Sequence, residues 1–334
     1  MYKSLLSELR TSREITWRHE KFPLTQVQES VFKEMCTFSS TALVGDCCVR
    51  VIYEDTLLSH PLRLKYRSTL AADSRCITVY FKSPENTSDL AQGYYVQDSN
   101  TFYIEGSGFG LLKSIINAVT GLQFLTRKEY PLHAAALQVD GCGIAIVGGH
   151  GYGKTSLAID IASIALSRGQ EVRFLADDWI SVRLSKHGRL IARSPDPTIS
   201  LTEVELDRIP TNLRSMNLPH ISTMQSIKKL SLRPHEVILG ALSADTIDID
   251  TVLVLSPEEK KPALERLRCS RAFARYAVSA SYHFPFTSYP SLSDCYRFWR
   301  RFGATGSTWI ASHASEDERV ARAHEILRSI NGTT

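Results

Sequence analysis

The sequence predicts an α/β protein preceded by a β-rich N-terminal region, and three observations carry that expectation. Short alternating apolar runs broken by turn residues fill the stretch from Leu43 to Gly106, the pattern of strands that bury one face. From Leu132 onward the order becomes strand, glycine-rich loop, apolar-periodic helix and strand, the building unit of an α/β core. The chain then reaches "SEDERVARAHEILRSI", whose serine and early acidic residues mark the start of a terminal helix.

Taken in order, "CCVRVIYED", "RCITVYFKSP" and "QGYYVQDSNTFYIEGSG" are rich in β-branched and aromatic residues. Each is expected as strand, with "DSN" as a hairpin turn. In "FGLLKSIINAVTGLQFLTRKE", Leu111, Leu112, Ile115, Ile116, Val119 and Leu122 recur at helical spacing and make one apolar stripe. A boundary near residue 126 follows, separating a region 1–126 from a core 127–334.

Within the core, "LHAAALQV" and "IAIVG" flank the hairpin-type turn "DGCG", so the strand entering the glycine loop is expected to run antiparallel to the one before it. "KTSLAIDIASIALSRG" reads as a helix closed by Gly169, and "EVRFLA" as the next strand. "ISVRL" and "RLIARS" suggest a hairpin around Lys186, His187 and Gly188, while "TVLVLSP" and "STWIASHA" read as strands. Ser315 caps the last helix, whose acidic first turn complements the helix dipole.

Composition limits the function classes. Hydrophobic content of 43% and charged content of 22% suit a globular chain with a sizeable core. A net charge of +4 is too mild and too dispersed to indicate nucleic acid. Two basic stretches, "ERLRCSRAFAR" and "RFWRRF", read as solvated faces of amphipathic helices. The N-terminal "MYKSLLSELRTSREITWRHEK" has no apolar signal segment, and no run of about 18 apolar residues occurs. A cytoplasmic protein without a membrane span is therefore expected. Seven cysteines without a CxxC pair suit neither a disulfide framework nor a zinc site, and Cys47 and Cys48 are expected as small buried thiols.

The chemistry concentrates in "GGHGYGKTSL". Gly148, Gly149, His150, Gly151, Tyr152, Gly153, Lys154 and Thr155 fit G-x-x-x-x-G-K-[ST], with Ser156 next on the helix. Glycines let successive backbone N–H groups turn inward around phosphates, and the helix start adds its positive end. Lys154 can reach the β and γ phosphates, and the Thr155 hydroxyl can bind Mg²⁺. Gly149, Gly151 and Gly153 lack the G-x-G-x-x-G spacing of a dinucleotide site.

After the loop helix, "FLADDW" places Asp177 and Asp178 at the C-terminal end of the next strand, the edge where ligands sit in α/β sheets. Two carboxylates beside a γ-phosphate suit two jobs, one helping to hold Mg²⁺ and one accepting the proton of an attacking hydroxyl. They point to opposite sides of an extended strand but can converge at its end.

With these residues in place, "LHAAAL … GIAIVGGHGYGKTSLAIDIA … FLADD" resembles the core of the HPr kinase family, which shares its phosphate loop with the ATP-type phosphoenolpyruvate carboxykinases. The resemblance covers roughly residues 128–182. It implies a P-loop kinase core with the mixed sheet of that type. It also implies phosphate and Mg²⁺ roles for Lys154 and Thr155, shared metal and base work for Asp177 and Asp178, and a place near the phosphates for His133. Read alone, His133 beside three alanines is a satisfied strand-end histidine.

This chain departs from the family at three points. His150 stands where the loop usually has serine, Thr155-Ser156 replaces Ser-Glu, and the Arg-Gly-Leu-Gly-type signature has no counterpart. These departures leave ATP use intact and point away from HPr itself as acceptor. The expectation is an ATP-dependent, Mg²⁺-requiring phosphotransferase acting on a hydroxyl of a small metabolite or natural product. The alternatives are a serine kinase for a peptide or small protein and, third, an acceptor-independent NTPase.

Substrate contacts are sought among Glu203, Glu205 and Asp207, and among Lys228, Lys229, Arg233 and His235. Arg233 leads, because a planar guanidinium can neutralise charge on a transferring phosphoryl group. No nucleic-acid or membrane partner is expected, and a homo-oligomer is compatible with this reading.

Overall fold

The structure, a computed structural model, describes residues 16–17, 33, 35–36, 38–44, 47–54, 67–68, 76–83, 92–96, 101–106, 109–149, 151–194, 198–214, 230–255, 264–267, 271, 273–274, 277, 289–305, 307–312 and 315–331. The chain is an α/β protein with mixed sheets in two compact units, Met1–Arg127 with Tyr282–Ser288, and Lys128–Ser281 with Tyr289–Thr334. Among the described residues no helix is long and apolar enough to cross a membrane.

Among the described residues the first unit holds seven strands: β1 (Thr16–Trp17), β2 (Phe38–Val44), β3 (Cys47–Tyr53), β4 (Arg67–Ser68), β5 (Ile77–Lys82), β6 (Gln92–Val96) and β7 (Thr101–Glu105), in spatial order β1-β6-β7-β5-β3-β2-β4. Alternation puts Val49, Val51 and Tyr53 of β3 in the core with Ile77, Val79 and Phe81 of β5. Helix α1 (Phe109–Thr126) buries Leu112, Ile115, Ile116 and Val119, as their helical spacing requires. β6 and β7 pair antiparallel, and the "DSN" expected between them lies outside the described residues.

Cys48 is not the free thiol that the sequence predicts. Cys48 is joined to Cys76 in a disulfide. Parallel pairing of β3 with β5 sets Val49 opposite Ile77, so the residues before them lie side by side with Cα atoms 4.6 Å apart. That proximity comes from strand register across a separation of 28 residues, and residue spacing does not reveal it.

The second unit opens with β8 (Tyr130–Leu132), β9 (Ala134–Val139) and β10 (Cys142–Val147). After the glycine loop come α2 (Lys154–Ser167), β11 (Val172–Ala176), β12 (Ile180–Leu184), β13 (Leu190–Arg193), β14 (Ile199–Leu201) and α3 (Glu203–Asp207). Next are β15 (Leu230–Leu232), α4 (Pro234–Val237), β16 (Leu242–Ser243), β17 (Thr246–Ile249), β18 (Thr251–Leu255) and β19 (Leu264–Arg266). The last elements are α5 (Tyr289–Thr305), β20 (Ser307–Ala311) and α6 (Glu316–Asn331).

Its main sheet runs β16-β11-β9-β10-β18-β20-β19, and a second sheet runs β17-β13-β12-β8. β9 pairs antiparallel with both β10 and β11, so those two point the same way and end at the same edge. The hairpin forms as the sequence predicts, with Asp140 at φ 47° and Gly141 at φ 84°, the left-handed pair that a two-residue turn requires. Gly143 is needed where the two sheets touch, because a Cβ there would lie 1.7 Å from the Asp248 carbonyl oxygen.

The basic stretch "ERLRCSRAFAR" is not one helical face. Its first residues belong to β19, an edge strand antiparallel to β20, because Leu264 packs on the core cluster while Glu265 and Arg266 stay exposed. "RFWRRF" does lie on a helix, α5, with Arg297, Arg300 and Arg301 exposed and Trp299 and Phe302 buried.

Helix α2 is buried nearly all round, from Ser156 to Ser163 and at Ala165, between the main sheet and α6. Its C-terminus closes on Gly169 at φ 74°, with Gly169 N donating to Leu166 O and Gln170 N to Ala165 O, a complete Schellman motif. α6 starts with the expected cap: Ser315 Oγ accepts from Glu318 N, and Ser315 N donates to Glu318 Oε2.

Asp160, the one carboxylate in α2, cannot be buried unpaired. Arg319 of α6 meets it, Nε to Oδ2 at 2.5 Å, with both side chains under a tenth exposed. Burial raises the Asp160 pKa, and the Arg319 guanidinium pulls it back. A raised carboxyl pKa means that this group favours the fold fully below the ordinary carboxylate range and loses that advantage as pH rises through the folded value. Arg319→Ala is expected to cost about 3–5 kcal/mol at neutral pH. In urea unfolding that deficit should shrink as pH falls toward the ordinary carboxylate range, because burial without the Arg319 guanidinium pushes the Asp160 carboxyl further up and it protonates.

Candidate active site

Two chain segments cross between the second sheet and the main sheet side by side, in opposite directions. β8 runs into β9 through His133, and β11 runs into β12 through Asp177, Asp178 and Trp179. Leu132 pairs with Ile180 across the β8–β12 ladder, so the two crossings are held next to each other. His133 Nε2 accordingly lies 3.1 Å from Asp178 Oδ1, with His133 nearly buried and Asp178 about a third exposed.

The two aspartates face different partners, as neighbouring residues of extended backbone do, and the strand before them is irregular. The β9–β11 register shifts between Phe174 and Ala176, and such bulges bend a strand and re-aim its side chains. Asp177 is buried, and its Oδ2 accepts from the Ser200 backbone N–H at 2.8 Å and from Thr155 Oγ1 at 3.4 Å. Asp178 faces His133 instead.

The glycine loop leaves β10 at the same edge. Gly151 and Gly153 both have φ 80°, and Gly153 occupies the position before α2, where no side chain caps the helix start. Lys154 is buried, its Nζ donating to the carbonyl oxygens of Gly148 at 3.1 Å and Gly149 at 2.9 Å. Its ammonium is thus held over the loop backbone. The half-exposed Tyr152 ring lies against Gly149, where a Cβ would come within 2.8 Å of it.

Of the residues singled out from sequence, Lys154, Thr155, Asp177, Asp178 and His133 come together at this edge with Gly148, Gly149, Gly151, Tyr152 and Gly153. His150, Lys228 and Lys229 lie outside the described residues. The Ser156 hydroxyl donates to Glu205 Oε1 at 3.3 Å. Glu205 belongs to a capping box with Thr202, whose signature "TEVE" was readable in the sequence. Glu203 opens α3 and Asp207 is exposed at its end.

Arg233 and His235 are both exposed, at the start of the short helix α4. Pairing of Ile199 with Leu232 sets Arg233 just beyond the β14–β15 ladder, the ladder whose Ser200 binds Asp177. The Ser200 amide is the contact that sequence reasoning missed, since a backbone donor carries no residue signature.

Among the described residues no cluster of three or more His, Cys, Asp and Glu side chains could hold a metal by itself. The convergence of the Thr155 hydroxyl and the Asp177 carboxylate fits Mg²⁺, which takes one or two protein oxygens and completes its shell with phosphate and water. Asp177→Ala removes a charged acceptor from Ser200, so that amide is expected to exchange with solvent at least about tenfold faster. Hydrogen exchange read at Ser200 checks this. No protein-family model matches this chain, and no curated protein matches it.

Proposed function

We propose that this protein is an ATP-dependent phosphotransferase that moves the γ-phosphoryl group to a hydroxyl of a small metabolite or natural product, built on a P-loop kinase core of the HPr kinase type. The observation that carries the reading is the division of labour between the two adjacent carboxylates. Asp177 is buried against Thr155 and the Ser200 amide, whereas Asp178 is accessible and faces His133.

In this reading the backbone amides of the loop and the uncapped start of α2 cradle the phosphates, and Lys154 exchanges its carbonyl contacts for phosphate oxygens. Thr155 and Asp177 would hold Mg²⁺, whose charge offsets that of the phosphates. Asp178 takes the proton from the acceptor hydroxyl while the new O–P bond forms and the bond to the ADP oxygen breaks, ADP leaving with the electron pair. His133 orients the Asp178 carboxylate through its ring nitrogen. Positioning and charge stabilisation are the protein's main contributions.

The test incubates the chain with Mg²⁺ and γ-labelled ATP in a host-cell extract and separates products by size. Label is expected among small molecules; label on a peptide or protein would make it a serine kinase, and ADP release indifferent to extract would make it an NTPase. Asp178→Asn is expected to lower transfer by roughly 10²–10⁴-fold, the span of general-base catalysis, with ATP binding retained. Lys154→Ala should abolish transfer in the same assay, and near-normal transfer in either variant would overturn the mechanism.

A further inference from the structure

A ring of polar contacts closes behind the phosphate loop. Ser156, in the first turn of α2, donates to Glu205 of α3 at 3.3 Å. Arg208, at the C-terminal end of α3, reaches Glu316 of α6 at 3.4 Å. Glu316 also faces Arg319 at 3.5 Å, and Arg319 returns to α2 through Asp160 at 2.5 Å. Three helices distant in the sequence are thereby tied in a circuit that begins and ends on the helix carrying Lys154 and Thr155.

The members of the circuit differ in strength. The Glu316 contacts are half in water and weak. Asp160–Arg319 is buried and fixes α2 against α6 along its middle. The Ser156–Glu205 contact acts at the end that matters, one residue after Thr155. Glu205 is itself held rigid, because its Oε2 accepts from Thr202 N at 2.8 Å and Thr202 Oγ1 at 2.9 Å, leaving Oε1 for Ser156. Ser156 is buried, so its hydroxyl would lose that contact without compensation from bulk water.

We propose that Glu205 is a positioning residue for the nucleotide. By holding Ser156 it sets the first turn of α2, and with it the Lys154 ammonium, the Thr155 hydroxyl and the amides that meet the phosphates. Ser156 thus serves the site through Glu205. This rests on the phosphotransferase reading above. A sub-ångström shift of that turn is enough to loosen a preorganised site.

The full chain is titrated with MgADP by calorimetry, as wild type, Ser156→Ala, Glu205→Ala, the double variant and Glu205→Gln, with thermal melting of each in the absence of nucleotide. Ser156→Ala and Glu205→Ala are each expected to weaken MgADP binding about tenfold, the cost of one lost hydrogen bond to a charged group. The double variant should bind no more weakly than the worse single one, because both remove the same contact. Glu205→Gln should recover most of the affinity, since glutamine still completes the capping box and offers Ser156 a partner. Ser156→Ala is the mildest change and serves if Glu205→Ala does not fold. Unchanged affinity in both single variants, or losses that add, overturns the positioning role alone. No MgADP binding by the folded wild-type chain overturns both this proposal and the phosphotransferase reading.

Discussion

The second unit depends on one backbone constraint: two neighbouring segments leave one sheet for another at the same place. The β8–β12 pairing locks Leu132 against Ile180. The stretch after Leu132 and the stretch before Ile180 must then run close together: His133 comes first on one side, and Asp178, one residue beyond Trp179, meets it from the other. Sheet topology thus brings the two crossings within reach of each other, and the side chains complete the contact. An insertion in either crossing would separate them without altering either residue.

The antiparallel β9 gives this arrangement its second consequence. In a sheet of parallel neighbours, the strand carrying the loop and the strand carrying the aspartates would lie directly side by side. With β9 between β10 and β11, the loop and the carboxylates sit on the same edge one strand apart. That gap is bridged from the loop side by Thr155 and from the strand side by Asp177, whose Oδ2 meets the Thr155 hydroxyl. Charge burial is managed in the same economical way. α2 carries one buried carboxylate, and α6 supplies its counter-ion. The contact specifies how the two helices align more than it adds to stability.

Features set by contacts within a few residues were legible in the sequence. The Asp140-Gly141 turn, the Gly169 closure of α2, the Ser315 cap and the glycine loop with Lys154 and Thr155 all follow from local rules on positive φ, orphan helix amides and residue periodicity. So did the alternating strands of the first unit, because burial of one sheet face leaves a two-residue period.

What only the tertiary structure decided is where residues distant in the chain come to lie. Register between β3 and β5 joined Cys48, expected as a thiol, to Cys76 in a disulfide, and edge pairing with β20 turned part of a supposed helix into strand. The pair Asp177-Asp178 was visible from the start, but its members are alike in the sequence and unlike in the fold. Their places at the sheet crossing give one the Thr155 hydroxyl and the Ser200 amide and the other a histidine. Local sequence specifies which groups are available for chemistry. Their pairing depends on strand register and helix packing, which no short stretch of residues encodes by itself.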